Sequence, residues 1–103
     1  MHYPPFNALA AILVRSSKLE AALKMSGLIS KRISEGGWKG VRVLGPAAAF
    51  LLRLKREYRY QFLIKSQRHD TLQDLLKAIR ACAQEADFPP AGLVMDVDPL
   101  SLL

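Results

Sequence analysis

The chain has 103 residues, half of them hydrophobic, and fifteen Lys and Arg against nine Asp and Glu give it a formal net charge of +6 at pH 7. This length predicts a single domain over residues 1–103, and the hydrophobic fraction is too high for a disordered chain. No apolar run approaches the roughly 20 residues of a membrane-spanning helix. The excess of basic residues favours an anionic partner such as nucleic acid, a membrane surface or an acidic peptide, although such charge can also serve solubility alone.

The first part of the chain predicts an extended segment, a strand and a helix. Two prolines within residues 1–7 give an extended lead-in. Residues 8–15 are predicted to form a central strand, because they are continuously apolar up to Val14 and Arg15 ends the run. Ser17 and Glu20 match the S-x-x-E capping box, and an amphipathic helix is predicted to follow over residues 18–33.

The rest of the chain predicts three strands and a second helix. In order, the elements are a strand over 41–44 ended by Gly45-Pro46, a hairpin tip at 55–57, a strand over 58–65, a helix capped by Asp70 or Thr71, and a strand over 93–97. The order β-α-β-β-α-β predicts an α+β fold, the ferredoxin-like or split βαβ plait. It has a four-stranded, mainly antiparallel sheet with two helices on one face. Right-handed crossovers place the first and third strands centrally.

Motifs for common catalytic and metal sites are missing from the sequence. Cys82 is the only cysteine, so no intrachain disulfide and no cysteine-based zinc cluster can form. There is no G-x-x-x-x-G-K-[ST] phosphate loop, no G-x-S-x-G elbow and no H-E-x-x-H zinc motif. Asp96 and Asp98 share a strand face, but a structural pairing with Arg59 or Lys65 across the sheet explains them more simply than acid–base chemistry. We therefore expect that this chain is not an enzyme by itself.

Basic residues are concentrated around the predicted hairpin. Such a patch can follow a phosphate backbone, although the same charges can simply keep a solvated strand from pairing with the edge of another chain. The candidate nucleic-acid-binding residues are Arg53, Lys55, Arg56, Arg59 and Lys65.

The aromatic residues of the third strand are predicted to belong mainly to the core. Tyr60 and Phe62 share a face with Ile64, which favours packing under the helices over a base-stacking platform. Tyr58, near the hairpin tip, is left open between the two. Trp38, in a glycine-rich loop, is either a cover over the core or a contact residue.

A second candidate site lies at the start of the second helix. Arg68, His69 and Gln73 cluster there, where unpaired backbone N–H groups and the helix dipole favour an anion or a carboxylate. A single surface histidine in such a place is more often a bystander or a cap.

Four stretches in this order resemble the C-terminal domain family of primosomal protein N′ (PriA), a bacterial replication-restart DNA helicase. They are YPPF at 3–6, VRVLGPA at 41–47, YRYQFLIK at 58–65 and DVDPLSLL at 96–103. The resemblance implies a plait like that of a small-subunit ribosomal protein, within a larger helicase. ATP, magnesium and zinc are then expected only in the other domains, and no cofactor is expected in this chain.

The resemblance also implies partners and site residues. The expected partners are forked or single-stranded DNA, the acidic C-terminal tail of single-stranded DNA-binding protein, the other domains of the same helicase and other primosome proteins. No membrane partner is expected, and the implied location is the bacterial cytoplasm at the nucleoid. By position, Arg68 and Gln73 match the arginine and glutamine of the family's tail pocket, with His69 as the alternative to Arg68. Arg59 matches the family's strand arginine.

These observations predict a noncatalytic domain that contacts DNA phosphates without sequence preference and helps dock the acidic tail. The alternative is a structural docking module that packs on the helicase lobes without binding DNA itself. A stand-alone RNA-binding plait would instead prefer folded RNA to forked DNA.

Overall fold

A computed structural model describes residues 8–54 and 57–97, apart from the side chains of residues 49–54. The predicted lead-in, the tip residues Lys55 and Arg56, and residues 98–103 with Asp98 lie outside the described residues. The elements are β1 (Ala8–Ser16), α1 (Leu19–Glu35), β2 (Val41–Leu54), β3 (Glu57–Ser66), α2 (His69–Glu85) and β4 (Leu93–Val97), the last preceded by a 3-10 turn at Pro90–Gly92.

The four strands form one antiparallel sheet in the order β2-β3-β1-β4. The predicted ferredoxin-like plait is therefore confirmed, with β1 and β3 in the centre. Ile12 of β1 lies opposite Phe62 of β3 on one side and Met95 of β4 on the other. These positions point toward the helices, so the register aligns one apolar face across three strands.

The core lies between this face of the sheet and the two helices. Buried side chains of the strands alternate with partly exposed ones, as a two-layer packing requires. The three- and four-residue spacing of apolar residues predicts a buried stripe along each helix. The stripe of α2 is buried as predicted, whereas Leu19 and Leu23, predicted for the stripe of α1, are exposed and Met25 is buried in their place. The core residues are Ala8, Ala10, Ile12, Val14, Met25, Ile29, Phe62, Ile64, Leu72, Leu75, Leu76, Ile79, Cys82 and Ala83.

Both predicted helix caps are wrong. The N-cap of α1 is Lys18 and that of α2 is Arg68, and neither makes a side-chain capping bond. Before α1, the Ser16 hydroxyl accepts the Lys18 N–H at 3.1 Å, so a local turn takes the place of the Ser17 capping box.

Among the described residues, neither helix has the length and apolar character that a membrane-spanning helix needs.

Strand β2 continues through Gly45-Pro46, where the sequence predicts its end. Leu44 lies opposite Leu63, but Ala47 lies opposite Gln61, so β2 has one extra residue at this point. Such a bulge accommodates a proline, which has no N–H to offer the ladder. Gly45 has φ 106°, and a Cβ there would lie 2.6 Å from the Gln61 carbonyl oxygen. The bulge therefore needs glycine at this position.

Candidate functional site

The first candidate surface is the side of the sheet that faces away from the helices, which we call the open face. Residues of β3 alternate, so that Phe62 and Ile64 are buried under the helices while Gln61 is exposed on the open face. Arg59 and Lys65 lie on the open face at opposite ends of β3, as the alternation predicts. Six residues of strand separate them by roughly 20 Å.

Strand pairing brings two further cations to the open face. Arg42 of β2 lies opposite Lys65, and Arg15 of β1 lies opposite Arg59. Sequence analysis did not single out these two arginines, because the pairing partner of a strand residue is set by the tertiary fold. The alternation of Arg42 with its apolar neighbours Val41 and Val43 was the available signal. The open face therefore carries a pair of cations at each end.

The two pairs differ in how their charges are engaged. At one end, Arg59 is only 21% exposed and contacts Glu57 at 3.2 Å, and the Arg15 Nε donates to the Ala91 carbonyl at 2.9 Å. At the other end, Arg42 is exposed and Lys65 half-buried, and neither takes part in the three ion pairs found among residues 8–54 and 57–97. This second pair is the more available one for a phosphate.

Aliphatic side chains occupy the space between the two cation pairs. Leu44 is 46% exposed and Val94 39% exposed, and Leu44 and Leu63 border a groove of about 250 Å³. We call this set the aliphatic strip; it comprises Leu9, Ala11, Leu13, Leu44, Leu63 and Val94. An apolar centre with a charged rim is the usual composition of a protein interface.

The aromatic residues of β3 do not form a stacking platform on the open face. Phe62 is buried in the core, which confirms the prediction for this residue, whereas Tyr58 and Tyr60 are half-buried on the helix side of β3. Trp38 packs against the same core, with Ile33 beside it along a groove of about 330 Å³. Of the two interpretations left open for Trp38, the cover over the core is the one that the structure shows.

The second candidate surface lies at the start of α2, where Arg68, His69 and Gln73 are all exposed. His69 and Gln73 are one helical turn apart and share a helix face. The grooves of about 430, 330 and 250 Å³ in the described part of the chain are lined by other residues. Arg68, His69 and Gln73 therefore lie on the exposed surface at the start of α2, outside these three grooves.

Arg68 is already paired within the chain. Its Nε and Nη2 donate to the two carboxylate oxygens of Asp70 at 3.0 and 2.8 Å. The hydrogen bond from Arg68 lowers the pKa of Asp70 to about 2, and the same bond raises the pKa of Arg68. Sequence analysis considered Asp70 only as a cap. Its two-residue spacing from Arg68 was the signal that it missed.

Three of the predicted nucleic-acid-binding residues cannot be placed as side chains. Lys55 and Arg56 lie outside the described residues, and Arg53 is described only by its backbone, which lies opposite Tyr58. The predicted pairing of Asp96 with Arg59 or Lys65 is wrong. Asp96 lies opposite Ala11, because β4 pairs with β1 and β1 separates it from β3.

The described residues contain no group of three or more His, Cys, Asp or Glu side chains placed to hold a metal ion. Cys82 is buried within α2, which agrees with its interpretation as a core residue.

Solved structures share the fold at low sequence identity. The designed protein Foldit4 superposes with a TM-score of 0.66 at 14% identity, covering 88% of this chain and 92% of that one. A hydantoinase/carbamoylase family amidase from Burkholderia ambifaria superposes with a TM-score of 0.56 at 12% identity, covering 88% of this chain and 27% of the amidase chain. At such identities these likenesses show the plait and nothing of the function.

Sequence relatives are more informative. The replication restart protein PriA of Bacillus subtilis is 32% identical to this chain, over 98% of this chain and 13% of the relative. The replication restart protein PriA of Rickettsia conorii is 30% identical, over 95% of this chain and 14% of the relative. A third, from Borreliella burgdorferi, is 25% identical over 91% of this chain and 15% of the relative. The chain thus spans about one seventh of the length of these relatives. Residues 1–100 match the family described as primosomal protein N C-terminal domain. The chain therefore belongs to the primosomal protein N C-terminal domain family, as the four ordered stretches of its sequence predict.

Proposed function

We propose that this chain is a noncatalytic C-terminal domain of a bacterial replication-restart helicase, which contacts branched or single-stranded DNA through phosphates and helps dock the acidic tail of single-stranded DNA-binding protein. It works in the cytoplasm at the nucleoid, beside the other domains of the helicase and other primosome proteins. ATP, magnesium and zinc are bound by those other domains and not by this one. The observation that carries the proposal is the register that gathers Arg15, Arg42, Arg59 and Lys65 on one face.

The DNA contact follows from the chemistry of this face. Lysine and arginine that neutralise phosphates give binding without sequence preference. An open face with no aromatic residue among the described ones supplies no surface for base stacking, so phosphates rather than bases are the expected target. Arg42 and Lys65 make the first contacts because they are the more available pair. Arg53, Lys55 and Arg56, which the sequence places around the turn between β2 and β3, are proposed as further phosphate contacts.

The tail contact uses the surface at the start of α2. A guanidinium binds a carboxylate through two parallel N–H bonds, which makes Arg68 the anchor for an acidic segment. Gln73, and His69 one turn before it, offer further donors on the same helix. All three side chains are exposed, so an extended peptide can reach them.

A salt titration of DNA binding tests the first part of the proposal. The chain is titrated with fluorescent forked and single-stranded DNA between 50 and 200 mM salt, with folded RNA as the comparison. Binding that weakens steeply with salt and does not favour RNA is expected. An absence of binding even at the lowest salt contradicts the DNA contact, and a preference for folded RNA supports the stand-alone RNA-binding domain instead.

The tail contact is tested separately with the acidic tail of single-stranded DNA-binding protein as a labelled peptide. Arg68→Glu is expected to weaken capture at least several-fold while leaving the circular dichroism spectrum unchanged, because the side chain is 72% exposed. Lys77→Glu, at an exposed position in the middle of α2, is the matched control. Equal capture by wild type and Arg68→Glu shows that Arg68 is not the anchor.

One observation favours a second function, the structural docking module. The aliphatic strip is apolar although the helices cover only the other face of the sheet, and central strands that are apolar on both sides are typical of a sheet covered twice. Among the residues that the structure describes, the rim has four cations against Glu57 and Asp96. A second copy would therefore be repelled, and a surface with an acidic rim would fit. Because the relatives are about seven times longer, the occupant proposed here is the helicase part of such a longer protein.

This second function is tested by mixing the chain with the Bacillus subtilis relative shortened by the matching stretch, and following complex formation by size exclusion. The wild-type chain is expected to form a complex that Leu44→Asp and Val94→Asp abolish. Leu23→Asp, equally exposed but on α1, should have no effect. If all three variants form the complex to the same extent, or if the wild-type chain does not form a complex, the aliphatic strip is not the docking surface.

A further inference from the structure

We infer that Asp70 is a built-in competitor for Arg68 and thereby determines which acidic ligands the start of α2 accepts. The inference rests on the proposed function, because it concerns the affinity and selectivity of the tail-binding surface. It identifies a residue that lowers affinity, whereas the residues considered so far raise it.

The geometry places a carboxylate where a ligand's carboxylate would bind. Both oxygens of Asp70 accept from the Arg68 fork, from Nε at 3.0 Å and from Nη2 at 2.8 Å. The backbone holds this arrangement, because the buried Ser66 hydroxyl donates to the Arg68 carbonyl at 2.8 Å and accepts its N–H at 3.3 Å. Asp70 Oδ1 also accepts the Thr71 N–H at 2.8 Å. Asp70 is thus fixed beside Arg68 by local contacts.

The Arg68–Asp70 pair carries no net charge, so it attracts an anion less than an unpaired guanidinium would. Asp70 occupies the Nε–Nη2 edge of the guanidinium, so a single ligand carboxylate either displaces Asp70 from that edge or binds the remaining Nη1 donors of a charge that Asp70 already balances. In both cases its net gain is small. A ligand with several adjacent carboxylates also meets His69 and the N–H groups of the first turn of α2. Asp70 therefore selects against a lone carboxylate and in favour of a multiply acidic segment.

The ion pair is open to exchange because both side chains are largely exposed, at 72% for Arg68 and 66% for Asp70. Exposed pairs of this kind are typically weak, so a ligand can open the fork at ordinary salt concentration. Displacement by an acid from outside is then an equilibrium that a binding experiment can measure.

Asp70→Asn is the discriminating variant. The asparagine keeps an oxygen for the Thr71 N–H but loses the charge that holds Arg68. Asp74→Asn, which removes another exposed carboxylate one turn further along α2, controls for the general effect of charge. Affinity for the labelled acidic tail peptide is measured by anisotropy for the wild type, both variants, Arg68→Ala and Arg68→Ala with Asp70→Asn. A peptide of neutral residues with one terminal carboxylate is measured in parallel.

Asp70→Asn is expected to tighten binding of the acidic tail peptide about two- to five-fold, which is the range of a weak exposed ion pair. Asp74→Asn should give less than half of that gain in affinity. When Arg68 is replaced by alanine, the gain from Asp70→Asn should be no larger than the gain that Asp74→Asn gives in the wild-type chain. The single-carboxylate peptide should gain more affinity from Asp70→Asn than the acidic tail peptide does, and an equal gain for the two peptides would show that Asp70 does not select between them.

Two results would overturn the inference while the proposed tail contact stands, and a third would overturn both. Unchanged or weaker binding by Asp70→Asn, with Arg68→Ala still defective, shows that Asp70 positions Arg68 or is neutral, while the tail contact stands. An equal gain with and without Arg68 shows that only general charge matters. If neither the wild type nor any variant binds the acidic peptide, both the tail contact and the role of Asp70 are contradicted.

Discussion

The charges of the open face can be tested quantitatively through the salt dependence of single-stranded DNA binding. Arg42 and Lys65 lie opposite each other at the more available end, and replacing both by alanine removes two of the four cations on this face. Each phosphate neutralised on a single strand contributes about 0.7 to the slope of log affinity against log salt. Four contacts give a slope of about −2.8, and two give about −1.4.

These slopes correspond to measurable differences. Between 50 and 200 mM salt these four contacts alone correspond to a loss of about 50-fold in affinity and two contacts to about seven-fold, so the wild type should lose about seven-fold more affinity than the double variant. The cations near the hairpin tip add the same amount to both proteins, so the difference in slope is insensitive to them. Anisotropy of a fluorescent oligonucleotide of 20 nucleotides measures both slopes.

The matched control removes the same charge from the other side of the molecule. Lys31 and Lys77 are exposed on α1 and α2, and the helices cover the opposite face of the sheet. Replacing both by alanine lowers the net charge equally but should leave the slope near that of the wild type. If this control lowers the slope as much as the open-face variant does, binding depends on net charge alone and the reasoning from strand register is refuted.

Two further predictions concern stability. Gly45→Ala should lower the free energy of unfolding by about 2 kcal/mol or more, because the φ of Gly45 is positive and the new Cβ would meet the Gln61 carbonyl oxygen. Gly27→Ala, in open space within α1, should raise the free energy of unfolding by up to about 1 kcal/mol. Urea unfolding measures both changes, and a Gly45→Ala variant as stable as the wild type would contradict the bulge. The pKa of Asp70 in the folded chain should be about 2, so its stabilising contribution is full above the ordinary value of 3.8 and is lost as pH falls toward 2. Carboxyl NMR titration should show this pKa rising toward 3.8 in Arg68→Ala, and an unchanged value would show that Arg68 is not the cause.

Local sequence patterns predicted the elements in which the hydrophobicity of each residue follows its burial. The strand over 93–97 has the predicted bounds, and the stripe of Leu72, Leu75 and Ile79 is buried along α2. Along α2 each apolar residue of the stripe marks the buried face at its own position, so periodicity alone is sufficient there, whereas in β4 the apolar Val94 is exposed on the open face. The element order then leaves few topologies, and the plait follows from it.

The helix caps and the bulge could not be predicted in this way. A capping residue competes with its neighbours for the same N–H groups, and Ser16, not Ser17, makes the bond before α1. At Gly45-Pro46 the residues that normally end a strand are kept within β2, because β3 continues to pair on the far side of the bulge. A partner strand far away in sequence overrides the local stop signal.

By itself the sequence determined the plait, the basic charge, the faces of β3 and the family. Only the tertiary structure decided that Arg15 and Arg42 join Arg59 and Lys65, and that Asp96 is separated from them by β1. It also decided that Asp70 occupies the fork of Arg68. The reason is physical. Burial is a property of one residue and repeats along an element, whereas a charge pair depends on the register between strands or on the geometry of a turn, which are fixed only when the whole sheet has formed.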